Sequence, residues 1–284
     1  MNAIITGSTK GIGRALALKF ASEGFDVALS ARTREDLDQL KQKIESDNPG
    51  QTAHIYACDM AVKEEVEQFA AFCQEKMNHI DVLINNAGLF LPGQLHNEEE
   101  GTLEKLVNIN LYSAYYFTRA MIDRLIDQQK GHIFNMCSVA SFMAYEHGGS
   151  YSVAKFALLG FSRSLREEMK DKGIRVTSVM PGATFTPSWE GIDLPESRFM
   201  KVEDVASAIY NAYTLSGQTV MEELVLRPHL DRNVVLKLPV LGIRNLTRFL
   251  RDDDGDSIAV FGNANSGFMA HANACRQIGV FGDR

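Results

Sequence analysis

Tryptophan occurs once in the 284 residues, cysteine four times and proline seven times. Cys58, Cys73, Cys137 and Cys275 contain no C-x-x-C pair, and their spacing fits neither a disulfide framework nor a zinc site. Each reads as a small buried hydrophobe in a reducing compartment, and a cytoplasmic location is expected. No apolar run approaches the roughly 18 residues of a membrane span. The N-terminus passes from Ala3, Ile4 and Ile5 straight to Gly7, so no secretory signal is expected. Positive charge is also scarce. Against 36 Asp and Glu stand 29 Lys and Arg, a net charge of −7, which argues against a nucleic-acid partner. The seven histidines form no H-E-x-x-H or similar pattern, so no metal is expected, and His147 reads as a loop residue. With 45% hydrophobic residues the chain is no disordered protein, and its length suffices for a core without staples.

What is present is an alternation of short apolar runs and longer amphipathic ones. Strands are predicted at 3–6, 25–30, 52–57, 81–85, 132–137, 175–180 and 223–226. Helices are predicted at 12–23, 34–45, 63–77, 103–129, 151–170 and 202–215. This order predicts an α/β fold: a doubly wound, seven-stranded parallel sheet with helices on both faces. Such a sheet binds ligands beyond the carboxyl ends of its strands. The pattern ends near residue 228, giving an expected catalytic domain of 1–228 and an extension of 229–284. The extension holds an apolar and basic stretch at 238–251, then Asp252, Asp253, Asp254 and Asp256. The basic stretch reads as a helix on a subunit or membrane face, or as a packing helix or loose tail.

The first predicted strand runs into Thr6-Gly7-Ser8-Thr9-Lys10-Gly11-Ile12-Gly13 at the start of a helix. Glycines there allow the sharp turn, the approach of backbone to a pyrophosphate and close helix–sheet packing. The helix start then offers N–H groups and a positive dipole end to the phosphates. After the second strand stand Ser30-Ala31-Arg32-Thr33-Arg34, with no carboxylate to take ribose hydroxyls. Arg32, with Lys10 in the glycine loop, suits a 2′-phosphate, and NADP(H) is the expected cofactor.

Tyr151 and Lys155 lie four apart on one predicted helix face. A phenol is a weak acid–base group at neutral pH, and an ammonium beside it favours the phenolate and lowers its pKa. Ser138 follows the fifth strand, with a hydroxyl small enough to meet a carbonyl oxygen. Asn110 falls within a predicted helix, where asparagine usually faces solvent. In Asn85-Asn86-Ala87-Gly88, after the fourth strand, buried amides can tie adjacent loops together.

Taken together, these motifs resemble the short-chain dehydrogenase/reductase family over about residues 1–228, with Asp59 and Pro181-Gly182 completing the set. The resemblance implies that Tyr151 donates the proton to a carbonyl and that Lys155 lowers its pKa and binds the nicotinamide ribose. It implies that Ser138 polarises the carbonyl and that Asn110 holds a water linking Lys155 to solvent. Phosphate and ribose contacts fall to Gly7, Ser8, Thr9, Lys10, Gly11, Ile12, Gly13 and Arg32, and the adenine contact to Asp59. Asn86, Ala87, Gly88, Pro181, Gly182, Thr184 and Thr186 complete the cofactor site, Thr186 at the carboxamide. A homodimer or homotetramer formed through helices 103–129 and 151–170 is implied as well.

Residues 183–200 stand where that family has a substrate lid and carry Trp189, Phe185 and Phe199. Trp189 either stacks on a flat substrate or covers a hydrophobic edge. The run PGATFTPSW, then Val202-Glu203-Asp204 and residues 222–228, resembles a bacterial sepiapterin-reductase-like branch. The expectation is an NADPH-dependent reductase of a small ketone or aldehyde, with pterin side-chain carbonyls among the leading substrates. A 3-oxoacyl-thioester reductase is the alternative enzyme, and a non-catalytic NADP-binding sensor the alternative of another kind.

Overall fold

The computed structural model describes residues 1–187 and 194–229, and the backbone of Leu250–Arg251 and Ser257–Ile258. Two units divide the chain, Met1–Val235 and Leu236–Arg284. In the second, β8 (Leu250–Arg251) pairs antiparallel with β9 (Ser257–Ile258). The last two residues of the 238–251 stretch are therefore strand rather than helix; the others lie outside the described residues, as do Trp189 and Cys275.

The first unit is built on β1 (Asn2–Thr6), β2 (Asp26–Ala31), β3 (Ala53–Ala57), β4 (Val82–Asn85), β5 (Gly131–Met136), β6 (Ile174–Pro181) and β7 (Glu223–Leu226). All pair in parallel, in the order β3-β2-β1-β4-β5-β6-β7. The expected seven-stranded doubly wound sheet is thus present. The order reverses between β1 and β4, which opens a crevice at their carboxyl ends.

Because successive strand residues face opposite ways, β1 feeds two cores. Ala3 and Ile5 pack with α1 (Gly11–Ser22), α2 (Arg34–Asp47) and α7 (Val202–Thr214) on one face. Ile4 packs on the other face with α3 (Lys63–Lys76), α5 (Ser113–Gln128) and the end of α6 (Gly149–Met169). There Phe69 and Phe117 stack at 5.1 Å, both fully buried. Truncating Phe117 to alanine costs about 3–5 kcal/mol at such a site. Cys58, Cys73 and Cys137 are buried free thiols, as expected. Among the described residues, no helix is long and apolar enough to cross a membrane.

One predicted element differs. The single helix expected at 103–129 is α4 (Thr102–Val107), a π-helical turn (Asn108–Tyr112) and then α5. The Ser113 N–H donates to the Asn108 carbonyl five residues back. The wider turn carries Asn110 inward, where it is 1% exposed rather than facing solvent.

Candidate active site

Two clusters meet at the carboxyl ends of β1, β4 and β5. The first is the glycine loop. Gly13 permits no side chain, since a Cβ there would overlap the Gly7 carbonyl oxygen and stand 2.5 Å from Asn86 Nδ2. Asn86 uses that amide to tie the loop down, donating to Thr6 O and Gly7 O at 2.9 Å each. Thr6 Oγ1 in turn accepts from the N–H groups of Asn86 and Ala87, at 3.0 and 2.9 Å. Gly7, at φ +64°, brings the loop so near that a Cβ would lie 2.9 Å from Ala87 Cα. Thr186 closes the far side, its Cγ2 3.1 Å from where a Gly11 Cβ would be. Gly182 N–H donates to Leu226 O at 2.7 Å and Thr184 Oγ1 to Gly182 O at 3.0 Å, fixing the segment that follows Pro181.

This loop fits a dinucleotide. Lys10 precedes α1 with no side-chain cap, and no acid stands in the first turn of that helix. Its starting N–H groups suit a pyrophosphate. Ile12 and Thr9 are half-buried beside them. Ser8 is buried, and its N–H and hydroxyl both donate to Ser30 O, at 2.9 and 3.1 Å. Ser8 therefore ties the loop to the end of β2 rather than turning its hydroxyl outward. Arg32 stands exposed just past β2, with no carboxylate between it and that tie. Asp59 follows β3, half-buried, with Oδ1 accepting from Ala61 N–H at 2.9 Å. A recess beside the loop is lined by Thr9, Lys10, Arg14, Asp36, Gln39 and Leu40. Sequence reasoning missed Arg14 and Asp36, because each reads as a solvated helix residue.

The second cluster is catalytic in composition. Lys155 is 5% exposed, and its Nζ donates to Met136 O at 2.7 Å. It lies 5.7 Å from the centre of the Tyr151 ring. Gly88 lies beneath both this amine and Asn110: a Cβ there would be 2.8 Å from Asn110 Oδ1 and 3.6 Å from Lys155 Nζ. Asn110 Nδ2 donates to Leu89 O at 2.9 Å and Leu106 O at 3.0 Å, while Oδ1 accepts from Leu89 N–H at 3.2 Å. Ser138 precedes the 3-10 turn Val139–Ser141, its Oγ accepting from Ala140 N–H at 3.1 Å. It stands near enough to Tyr151 to act on the acidity of that phenol. Phe90 packs edge-on against the Tyr151 ring at 4.9 Å.

The electrostatics differ from the sequence expectation. Burial pushes the Tyr151 phenol up to about 12, and the Ser138 hydrogen bond is what pulls it back. Burial pushes Lys155 down to about 8. An ammonium that is itself desolvated and bonded to a backbone carbonyl does not create a phenolate in the free protein. Tyr151 is a neutral phenol at neutral pH, the form that donates a proton. Besides Arg14 and Asp36, sequence reasoning missed Thr6, Phe90 and the Met136 carbonyl. Backbone acceptors leave no mark in a sequence, and Thr6 reads simply as the last residue of a strand.

A fold and site of this kind define a dehydrogenase/reductase. A family model described as short chain dehydrogenase matches residues 1–196, and the chain belongs to that family of oxidoreductases. Sepiapterin reductase of Chlorobaculum tepidum is 34% identical over 233 residues, 79% of this chain and 95% of that protein. Among solved structures, the alcohol dehydrogenase of the archaeon Thermococcus sibiricus, complexed with 5-hydroxy-NADP, superposes with a TM-score of 0.76. It is 26% identical and covers 82% of this chain and 98% of its own. A metagenomic short-chain oxidoreductase in complex with NADP has a TM-score of 0.71 at 30% identity, covering 81% and 97%.

Proposed function

We propose that the chain is an NADPH-dependent carbonyl reductase, with residues 1–228 as its catalytic domain and 229–284 as an extension. The observation that carries this reading is the grouping of Tyr151 and Ser138 with the buried Lys155 and Asn110, Lys155 Nζ held on Met136 O at 2.7 Å. NADP(H), bound by the glycine loop, Arg32 and Lys10, supplies the hydride. The protein's own residues supply position and the proton. Ser138 orients the carbonyl oxygen, and Tyr151 donates the proton to it as negative charge develops there. Lys155 and Asn110, pinned beside Gly88, hold the ribose side and provide the route by which the proton on Tyr151 is restored. Gly7, Gly11, Gly13, Asn86, Ala87, Pro181, Gly182, Thr184 and Thr186 cradle the cofactor, and Asp59 meets its adenine.

The substrate is a small ketone or aldehyde, with the side-chain carbonyl of a pterin foremost. The 34% identity to the Chlorobaculum tepidum sepiapterin reductase supports that choice. The enzyme works in the cytoplasm as a homodimer or homotetramer. Exposed apolar side chains on α6 and on the π-turn before α5 support an oligomer, with Tyr112 42%, Val153 42% and Phe156 46% exposed.

The test is NADPH oxidation against sepiapterin, a 3-oxoacyl thioester, a diketone and an aromatic aldehyde, by wild type and Tyr151→Phe. The expected result is turnover by wild type, and loss of at least about a hundredfold in the variant while NADPH still binds. Near wild-type turnover by Tyr151→Phe sinks the assignment. Tight NADPH binding without reduction of any carbonyl by wild type makes the protein a sensor.

A further inference from the structure

The helix that carries Tyr151 and Lys155 begins without a cap of its own. Gly148 precedes α6 and offers no side chain, and no acid stands in its first turn. N–H groups at a helix start need acceptors from elsewhere. Here one comes from 52 residues away. The Ser150 N–H donates to Glu98 Oε1 at 2.9 Å, and the Ser150 hydroxyl donates to Glu98 Oε2. A carboxylate at this end of a helix also meets the positive end of its dipole.

Glu98 belongs to the segment between β4 and α4. The same segment supplies Gly88 beneath Asn110 and Lys155, and Phe90 against the Tyr151 ring. Its backbone is joined to the approach of α6 as well: Gly93 N–H donates to His147 O at 3.1 Å, and Gly93 bridges Gly148. Two glycines make room for the carboxylate. A Cβ on Gly93 would lie 2.5 Å from Glu98 Oε1, and one on Gly149, at φ +42°, would overlap that oxygen.

We infer that Glu98 is a positioning residue for the reduction: its carboxylate joins the β4–α4 segment to the start of α6 and so fixes Tyr151, the residue after Ser150, against Ser138 and Phe90. The inference rests on Tyr151 being the proton donor. It requires no contact between Glu98 and substrate or cofactor.

The experiment compares Glu98→Ala, Glu98→Gln, Ser150→Ala and Tyr151→Phe in NADPH oxidation with the best carbonyl of the panel. NADPH affinity is read by fluorescence, and hydrogen exchange is followed at the Ser150 amide. A displacement of about 1 Å costs up to about a hundredfold, so Glu98→Ala is expected to lower kcat by about 10–100-fold with NADPH affinity within about twofold of wild type. Its Ser150 amide exchanges faster. Glu98→Gln keeps an oxygen for the Ser150 N–H and recovers most of the lost kcat, and Ser150→Ala, which keeps that N–H and Glu98, retains most of the wild-type value, a pattern that a loss of general stability does not produce. Wild-type kcat in Glu98→Ala beside an inactive Tyr151→Phe overturns the inference alone. So does a loss of kcat matched by an equal loss of NADPH affinity. Wild-type turnover by Tyr151→Phe overturns the functional reading, and the inference with it.

Discussion

Replacing Lys155 by methionine should make the free protein more stable and the enzyme inactive. Lys155 is 5% exposed, and burial lowers its pKa from 10.5 to about 8. At 1.36 kcal/mol per pKa unit, keeping it protonated in the fold costs about 3 kcal/mol. Against this stands the 2.7 Å bond to Met136 O, whose loss costs about 1–2 kcal/mol. Lys155→Met is thus expected to gain about 1–2 kcal/mol near neutral pH. The pH dependence separates charge from packing. The folded protein holds this proton less tightly than the unfolded chain, so wild-type stability rises with pH from about 8 to about 10.5. The variant lacks that rise of about 3 kcal/mol, so its advantage vanishes within the interval and wild type becomes the more stable by about pH 10. Urea unfolding of both proteins at stepped pH, with NADPH oxidation measured beside it, reads both effects. A stability gap that does not change from neutral pH to about pH 10 would refute the reasoning.

Two further outcomes are expected. Arg32→Ala should lose about 10–100-fold of the preference for NADPH over NADH, the worth of charge-assisted bonds to a phosphate, and an unchanged kcat/KM ratio for the two cofactors counts against Arg32 as the 2′-phosphate ligand. His132 is fully buried, its Nε2 2.7 Å from Thr177 Oγ1, and burial with Arg175 nearby holds its pKa well below 6.5. The unfolded chain takes up this proton first, so stability falls as pH drops below about 6.5. His132→Gln, which keeps a donor for Thr177, should flatten that fall by up to about 1.4 kcal/mol per pH unit, as chemical unfolding at stepped pH would show.

Much of this was legible in the sequence, for different reasons in different places. The strands showed because a parallel sheet is buried on both faces, so that in Val82–Asn85 the first three residues are apolar in unbroken succession. The glycine loop showed because only glycine tolerates the contact between Gly13 and Asn86. Asn110 misled on orientation. Helix periodicity assumes 3.6 residues per turn, and one π-helical turn breaks that phase without any residue type announcing it. Tyr151 and Lys155 showed as a pair, but their proton affinities depend on burial and on the Met136 carbonyl. Glu98 was invisible for a simpler reason. Its partner Ser150 is 52 residues away, beyond any local pattern.

The central place of β1 has a consequence for how the protein comes off the ribosome. β1 is made well before one of its partners: of its two neighbours only β2 follows soon, while β4 starts at Val82. The bonds that lock the glycine loop join Asn86 to Thr6 and Gly7 across about 80 residues. A nascent chain therefore holds an apolar strand half-paired, and a phosphate loop without its fastener, until β4 has cleared the exit tunnel. Dinucleotide affinity should then arise abruptly with chain length rather than grow with each βα unit. Any chaperone that attends this chain has its task in that interval.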